Sequence, residues 1–520
     1  MVSEATLTAT FSALADPTRR AILARLARQD ATVLELAGDL GGTWYWNRYP
    51  GARFDSESYT YGYSFSREVL DEWHWKERFS SQPENLKYLN FVADKFNLRR
   101  HMQFNQRVTA AQWDEANRLW RLTVRDEQGE EGPGERKGTT REMTCRFVVM
   151  ALGLLSQPTL PRLEGMDRFK GPSFHTYYWP KEGVDLKDKK VAVIGTGATA
   201  IQVIAEIADK VGDLTVFQRR PNWSAPLNNS LISEQEMADI RKRYDEIFAA
   251  CARSPGGFVH EPDRRGFYEV SREERLKTWD RLYDEPGFGI WLANFREIFM
   301  DETANAELSE YIAERIRRRV KDPKVAELLI PKDHGFGVQR VPLETRYFEA
   351  YNRPNVHLVD LKTTPLARVT EKGLVTKGPE GEREYGFDII VYATGFDAIT
   401  GAFDHIDIRG ANGQTLRDKW RDSCSSFLGM MIPEAYDGLA LDTSTYLLAL
   451  EQGETHQLAR RTPEQLLEYV LELQGDKQVL DRYAEARTTY LGGHRDIEDF
   501  ENRLKVMALH VDTLKRDAEQ

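Results

Sequence analysis

The segment Gly195-Thr196-Gly197-Ala198-Thr199-Ala200 has the spacing of a turn that cradles phosphates. Small residues at its first, third and sixth positions let backbone N–H groups approach a pyrophosphate closely. A helix starting there adds partial positive charge. The flanking sequence supplies the context this turn requires. The apolar run Val191-Ala-Val-Ile194 precedes it as a buried strand, and Ala198–Asp209 follows as a helix. Leu214-Thr-Val-Phe217 is the next strand, which completes a βαβ unit. After that strand come Gln218-Arg219-Arg220, with no Asp or Glu. An acid there would hold the ribose hydroxyls of NAD, whereas arginine suits the 2′-phosphate of NADP(H). The expected NADP(H)-binding residues are therefore Gly195, Thr196, Gly197, Ala198, Thr199, Ala200, Arg219 and Arg220.

The rest of the chain must position that unit. Its 520 residues suffice for two or three domains. Hydrophobic content of 41% and charged content of 29% are ordinary for a soluble protein. A net charge of −11 argues against a nucleic-acid partner, which needs a positive patch. No run is long and apolar enough to span a membrane, and the start MVSEATLTATF lacks the pattern of a signal peptide. Cys145, Cys251 and Cys424 are far apart, with no metal-ligand spacing. No metal is expected, and the thiols are expected to be free in a cytoplasmic protein.

Along the chain, residues 1–34 read as helices, with Asp16-Pro17 as a start signal. A loop rich in Gly, Trp and Tyr runs from Gly41 to Ser58. Residues 65–97 read as helical, with Trp73, Trp75 and Phe91 on a buried face. Residues 103–151 alternate like antiparallel strands, as in Trp120-Arg-Leu-Thr-Val124, and end in a short buried strand, Arg146 to Ala151. Residues 232–329 read as long, charged helices. Val356–Val359 and Asp388–Tyr392 are further strands. From about residue 436 the chain reads as helical and polar, with a capping box at Thr462-Pro-Glu-Gln465.

Three further motifs carry a resemblance. Phe169-Lys-Gly171-Pro-Ser-Phe-His175-Thr-Tyr-Tyr-Trp179-Pro180 matches F-x-G-x-x-x-H-x-x-x-W-P. Gly41-Gly42-Thr43-Trp44 to Tyr49-Pro50-Gly51-Ala-Arg-Phe-Asp55 forms a second signature. Ala393-Thr394-Gly395-Phe396-Asp397 follows the strand that ends at Tyr392. Together, from about Glu35 to Pro433, the chain resembles a Baeyer–Villiger monooxygenase. The resemblance implies an α/β fold of two doubly wound, Rossmann-like dinucleotide-binding domains, for FAD and NADP, to which the sequence itself adds a helical insertion and a helical C-terminal tail. It implies insertion of one atom of O2 next to a ketone carbonyl to give an ester or lactone. The small-molecule ketone and O2 are then the partners, and NADPH is the donor. FAD would be held by Glu35, Gly42, Thr43, Trp44, Tyr61 and Val108. Arg340 would be the catalytic cation beside the flavin, and Asp55 the acid that orients it. A fixed cation there favours negative charge in the oxygen-transfer step. Taken alone, Asp55 reads as a loop-capping carboxylate and Arg340 as half of a surface ion pair. His175 would belong to a linker between the nucleotide domains.

The implied division is 1–34, a helical fragment; 35–180, the first part of the FAD domain; 181–345, the NADP domain with an insertion at 228–330; 346–435, the return to the FAD domain; and 436–520, a tail. Departures from the family occur at three places. Gln339 stands where relatives carry a lysine, which removes one charge-assisted contact to the 2′-phosphate. The family's first three glycines fall on Ser12, Leu14 and Pro17, in a segment that resembles the opening of an ArsR-type winged-helix repressor. The resemblance fades after Phe427–Met430 and Pro433. Two other functions stay open on these departures: an NADP-binding relative with a broken flavin site, and a DNA-binding regulator.

Overall fold

The structure is a computed structural model that describes residues 33–127, 138–254, 256–398 and 400–421, with the backbone of 447–449. The expected N-terminal helices, Ser12, Leu14, Pro17, Cys424, the Phe427–Pro433 stretch and the Thr462 cap lie outside the described residues. Within the tail expected to be helical, the described residues Leu447–Ala449 depart from that expectation. They form a strand, because parallel pairing with Val148–Met150 supplies the partners their backbone needs.

The first unit begins with Val33–Leu34 (β1), paired parallel with Met102–Gln103 (β2). Gln106–Asp114 (β3), Leu119–Asp126 (β4) and Thr140–Cys145 (β5) form an antiparallel meander. The alternation expected in β4 is present. Trp120, Leu122 and Val124 are buried with Ala111 and Met150, while Arg121 faces solvent. Val148–Met150 (β6) follows. Residues 65–97 are not one helical run. Arg67–Glu72 and Gln82–Lys95 are separate helices, and Trp73 and Trp75 sit in the extended stretch between them. Pro83, in the first turn of the second helix, explains the break, since proline cannot continue a helix from upstream. Trp75 is still buried at 1% exposure, packed on Tyr88.

The second unit is a five-stranded parallel sheet. It contains Ser173–His175 (β7), Lys190–Ile194 (β8), Asp213–Gln218 (β9), Val356–Asp360 and Ile389–Tyr392. Two short strands, Ala225–Pro226 (β10) and Leu343–Glu344 (β11), pair beside it, which fixes where the chain from Arg340 to Leu343 returns. With Val356–Asp360 as β12, the hairpin strands Leu366–Val369, Gly373–Gly378 and Gly381–Gly386 as β13 to β15, and Ile389–Tyr392 as β16, the sheet order is β12-β9-β8-β16-β7. Val191, Ala192 and Val193 are fully buried, as a strand covered on both faces requires. The Ala198–Ile207 helix covers one face with Ile201, Val203 and Ile204. The sheet runs across the expected boundaries at 181 and 346. β7, β12 and β16 belong to the nucleotide sheet, because hydrogen-bond pairing, not position along the chain, sets sheet membership. Asp407–Arg409 (β17) pairs with β3 in the first unit.

The insertion is helical, as expected, but in pieces. Glu234–Lys242, Tyr244–Arg253, Arg272–Asp284, Gly289–Leu292, Glu302–Arg319 and Pro323–Leu329 are its helices. Ser233, Ser271, Asp301 and Asp322 each cap one by accepting a backbone N–H. Trp279, Leu308, Ile312 and Ile316 join the core that backs the nucleotide sheet. Among the described residues, no helix is long and apolar enough to cross a membrane, and no cluster of His, Cys, Asp or Glu could hold a metal ion.

Candidate active site

The parallel strands end in register. Ile194 of β8 pairs with Tyr392 of β16, and Tyr392 pairs with His175 of β7. The glycine turn, the Ala393–Asp397 motif and the histidine fingerprint therefore leave the sheet side by side. This is the carboxyl edge, where open parallel sheets bind ligands.

Gly195 has φ +115°, and a Cβ there would lie 2.4 Å from the Ala393 carbonyl oxygen. Only glycine fits that approach. Gly197 has nothing within 4 Å of a Cβ position, and it precedes the Ala198–Ile207 helix without a side-chain cap. The first N–H groups of that helix are thus presented at an open face. Thr196 donates its hydroxyl to the Arg220 carbonyl at 2.7 Å, which ties the turn to the end of β9. Arg219 and Arg220 are exposed, and Arg220 lies 3.8 Å from Asp333.

His175 is 2% exposed. Its Nδ1 accepts from the Tyr177 N–H at 3.1 Å, and its Nε2 donates to the Gly395 carbonyl at 3.0 Å. These partners specify the neutral ring, and burial pushes its pKa down to about 4. Phe396 packs edge-on against both His175 and Tyr177. Trp46, from the second signature, stacks on Tyr177 with ring centroids 5.1 Å apart. Three motifs separated in sequence thus meet around one aromatic cluster.

Asp55 and Arg340, 285 positions apart in the chain, come together. Arg340 Nη2 donates to Asp55 Oδ2 at 2.7 Å. The carboxylate is 3% exposed, while the arginine side chain is 58% exposed. Burial raises the Asp55 pKa, and Arg340, the Leu343 N–H and Arg53 oppose that rise. The arginine is thus held through one terminal nitrogen, while more than half of its side chain stays exposed.

On the other side, Glu35 follows β1 and accepts the Ala37 N–H at 3.0 Å. Gly42 has φ +48° with nothing within 4 Å of a Cβ position, and the short Thr43–Trp46 helix starts from it. Trp44 Nε1 donates to the Tyr61 hydroxyl at 2.8 Å, and both rings pack on Phe54. Val108 lies at the irregularity in β3, against the meander core.

Two residues of this region were missed in the sequence. Gln202 bridges Tyr49, Arg53 and Asp55, and Tyr49 is its phenolic partner. Tyr49 lies inside the second signature, and Gln202 is a polar residue in the middle of the largely apolar Ala200–Ala205 stretch of its helix. That polar break in the helix pattern was the available signal.

The family model for L-lysine 6-monooxygenase/L-ornithine 5-monooxygenase matches residues 56–249. The chain is 45% identical over 417 residues to the 2-oxo-Delta(3)-4,5,5-trimethylcyclopentenylacetyl-CoA monooxygenase of Pseudomonas putida, covering 79% of this chain and 73% of that protein. It is 39% identical to a Baeyer–Villiger monooxygenase of Pseudooceanicola batsensis, covering 76% of this chain and 69% of that one. The chain belongs to the Baeyer–Villiger monooxygenase family. A solved structure, OTEMO in complex with FAD and NADP, superposes with a TM-score of 0.74 at 44% identity, covering 82% of this chain and 76% of that one. Cyclohexanone monooxygenase from Rhodococcus sp. Phi1 bound to NADP+ gives a TM-score of 0.74 at 32% identity, covering 93% and 82%.

Proposed function

We propose that this Baeyer–Villiger family member is an FAD- and NADPH-dependent monooxygenase. It would convert a small ketone, O2, NADPH and a proton into an ester or lactone, NADP+ and water. The observation that carries this proposal is the Asp55–Arg340 pair at 2.7 Å, beside the junction of the nucleotide turn and the second signature.

The residues present fit the two cofactors. The open face at Gly197 and the uncapped helix start suit a pyrophosphate. Arg219 and Arg220, both exposed, suit a 2′-phosphate. Glu35, at the end of β1, would hold the flavin ribose, and Gly42, Thr43, Trp44, Tyr61 and Val108 would surround the rest of the flavin. When bound, reduced FAD supplies the electrons that activate O2.

The chain's own residues supply orientation and charge. Arg340 keeps one end of its guanidinium on Asp55, which leaves its other N–H donors for an oxyanion. Asp55 accepts from Arg340, the Leu343 N–H and Gln202, which limits its rotation. His175 stays neutral and holds the Gly395 carbonyl, so it ties the end of β7 to the end of β16 and is not set up to transfer protons.

A purified, yellow protein whose absorbance bleaches with NADPH under nitrogen, and that yields ester from ketone under air, supports the proposal. A colourless protein that takes up no added FAD refutes it. The alternative is a protein that binds NADP without flavin, favoured by Ser12, Leu14 and Pro17 at the family's glycine positions. It predicts NADP+-dependent thermal stabilisation with no flavin uptake.

A further inference from the structure

Gln202 stands on the Ala198–Ile207 helix, about one turn beyond the phosphate-binding turn. Its amide leaves that helix and enters the loop of the second signature. Oε1 accepts the Tyr49 hydroxyl at 3.0 Å. Nε2 donates to the Arg53 carbonyl at 3.2 Å and to Asp55 Oδ1 at 3.4 Å. Thr199, inside the turn itself, stands on the same helix three residues before Gln202. The loop backbone rides on the same helix. Gly51 has φ +81°, and a Cβ there would come within 2.7 Å of the Gln202 carbonyl oxygen. A set of hydrogen bonds thus runs from Tyr49 through Gln202 to Asp55 and Arg340, with Gln202 fixed on the helix that starts at the turn.

We infer that Gln202 is a positioning residue that couples occupancy of the dinucleotide turn to the setting of the Asp55–Arg340 pair. The inference rests on the turn binding NADP(H). Two features give it direction. An amide has one donor end and one acceptor end, and the tyrosine hydroxyl fixes which is which. Tyr49 is enclosed enough that its pKa is pushed up to about 12, so its proton stays in place as the donor to Oε1. Nε2 is therefore held towards Asp55. The second feature is rigidity. Thr199 and Gln202 share one helix, whose first N–H groups would engage the pyrophosphate, so a small displacement of that helix reaches Asp55 without a flexible link. Coupling of this kind is reciprocal: a change at Asp55 must alter dinucleotide affinity by the same factor.

A binding cycle on the purified full-length chain tests this without catalytic turnover. NADP+ affinity is read from quenching of intrinsic tryptophan fluorescence in wild type, Asp55→Asn, Gln202→Met and the double variant. Asp55→Asn is expected to change the NADP+ Kd by about fivefold in wild type, at the low end of allosteric couplings because the 3.4 Å contact is long. In the Gln202→Met background the same change should stay within about twofold. Tyr49→Phe, which frees the amide to turn over, should behave like Gln202→Met and serves if that variant does not fold. An equal effect of Asp55→Asn in both backgrounds, or no effect in wild type, overturns the inference. Failure of the wild type to bind NADP+ at all instead overturns the proposed function, and this inference with it.

Discussion

Replacing Arg340 by methionine keeps the length of the stem and removes the charge. Asp55 then loses its strongest partner, while the Leu343 N–H and Gln202 remain. At an effective dielectric of about 20, a contact of this kind has a Coulomb energy of roughly 4 kcal/mol. Arg340 is 58% exposed, and water screens much of that, so a net loss of about 1–2 kcal/mol is expected. The sign with pH follows from the buried acid. Burial raises the folded pKa of Asp55 above its ordinary value, so the folded state disfavours the ionised form. The cost of that form appears only as pH rises through and above the ordinary carboxylate range, and Arg340 offsets it there. The stability gap between wild type and Arg340→Met should therefore be widest near pH 8 and shrink towards pH 5. Thermal melts followed by tryptophan fluorescence at both pH values measure it, with a gap of a few degrees at pH 8. Ketone oxygenation should fall about 10²- to 10³-fold, the usual loss when a charge-stabilising donor is removed. NADPH-driven bleaching of the flavin should change far less, because that step develops no oxyanion beside Arg340. A stability gap that is the same at both pH values, or oxygenation retained within about threefold, would refute the electrostatic reasoning.

Three further outcomes are expected. The His175 ring titrates near 4 in the fold but near 6.5 when unfolded, so wild type should lose roughly 3 kcal/mol as pH falls between those values; melts of His175→Gln should lack that acid-side slope. Gly195→Ala places a methyl 2.4 Å from the Ala393 carbonyl at φ +115°, which should cost at least about 1–3 kcal/mol and abolish NADP+-dependent stabilisation in a thermal-shift assay. Gln339→Lys, at an exposed position, should raise the NADPH-to-NADH ratio of kcat/KM by about three- to tenfold in a coenzyme oxidation assay.

The nucleotide sheet was legible in the sequence because its signals are local. Val191–Ile194 is apolar throughout, the turn carries its glycines, and the helix is periodic. The alternation of Trp120 to Val124 was equally plain. Membership of β12 and β16 in that sheet was not legible, because strand pairing across a long insertion leaves no trace in either partner. The break at Trp73–Ser81 was marked by Pro83, but an aromatic-rich stretch with roughly helical spacing obscured it. Asp55 and Arg340 were singled out by the family resemblance, whereas Gln202 was not, since its contacts are made with a loop distant in sequence. The short strand at Leu447–Ala449 escaped because three residues carry no usable period.

The pairing of β8 with β16 also sets a schedule for the growing chain. Val191 lies next to Ile389, 198 positions later, with the helical insertion between them. At ribosomal rates of about 5–20 residues per second, the inner strand waits some 10–40 s for its neighbour. Throughout that interval an apolar strand has one edge unpaired, a template for association with another chain. The insertion, whose Trp279, Leu308, Ile312 and Ile316 share one core with Val191, Val193, Leu214 and Val216, can condense against β8 and β9 first and shelter their faces. Expression temperature and chaperone supply should thus govern the soluble yield of this protein more than its final stability does.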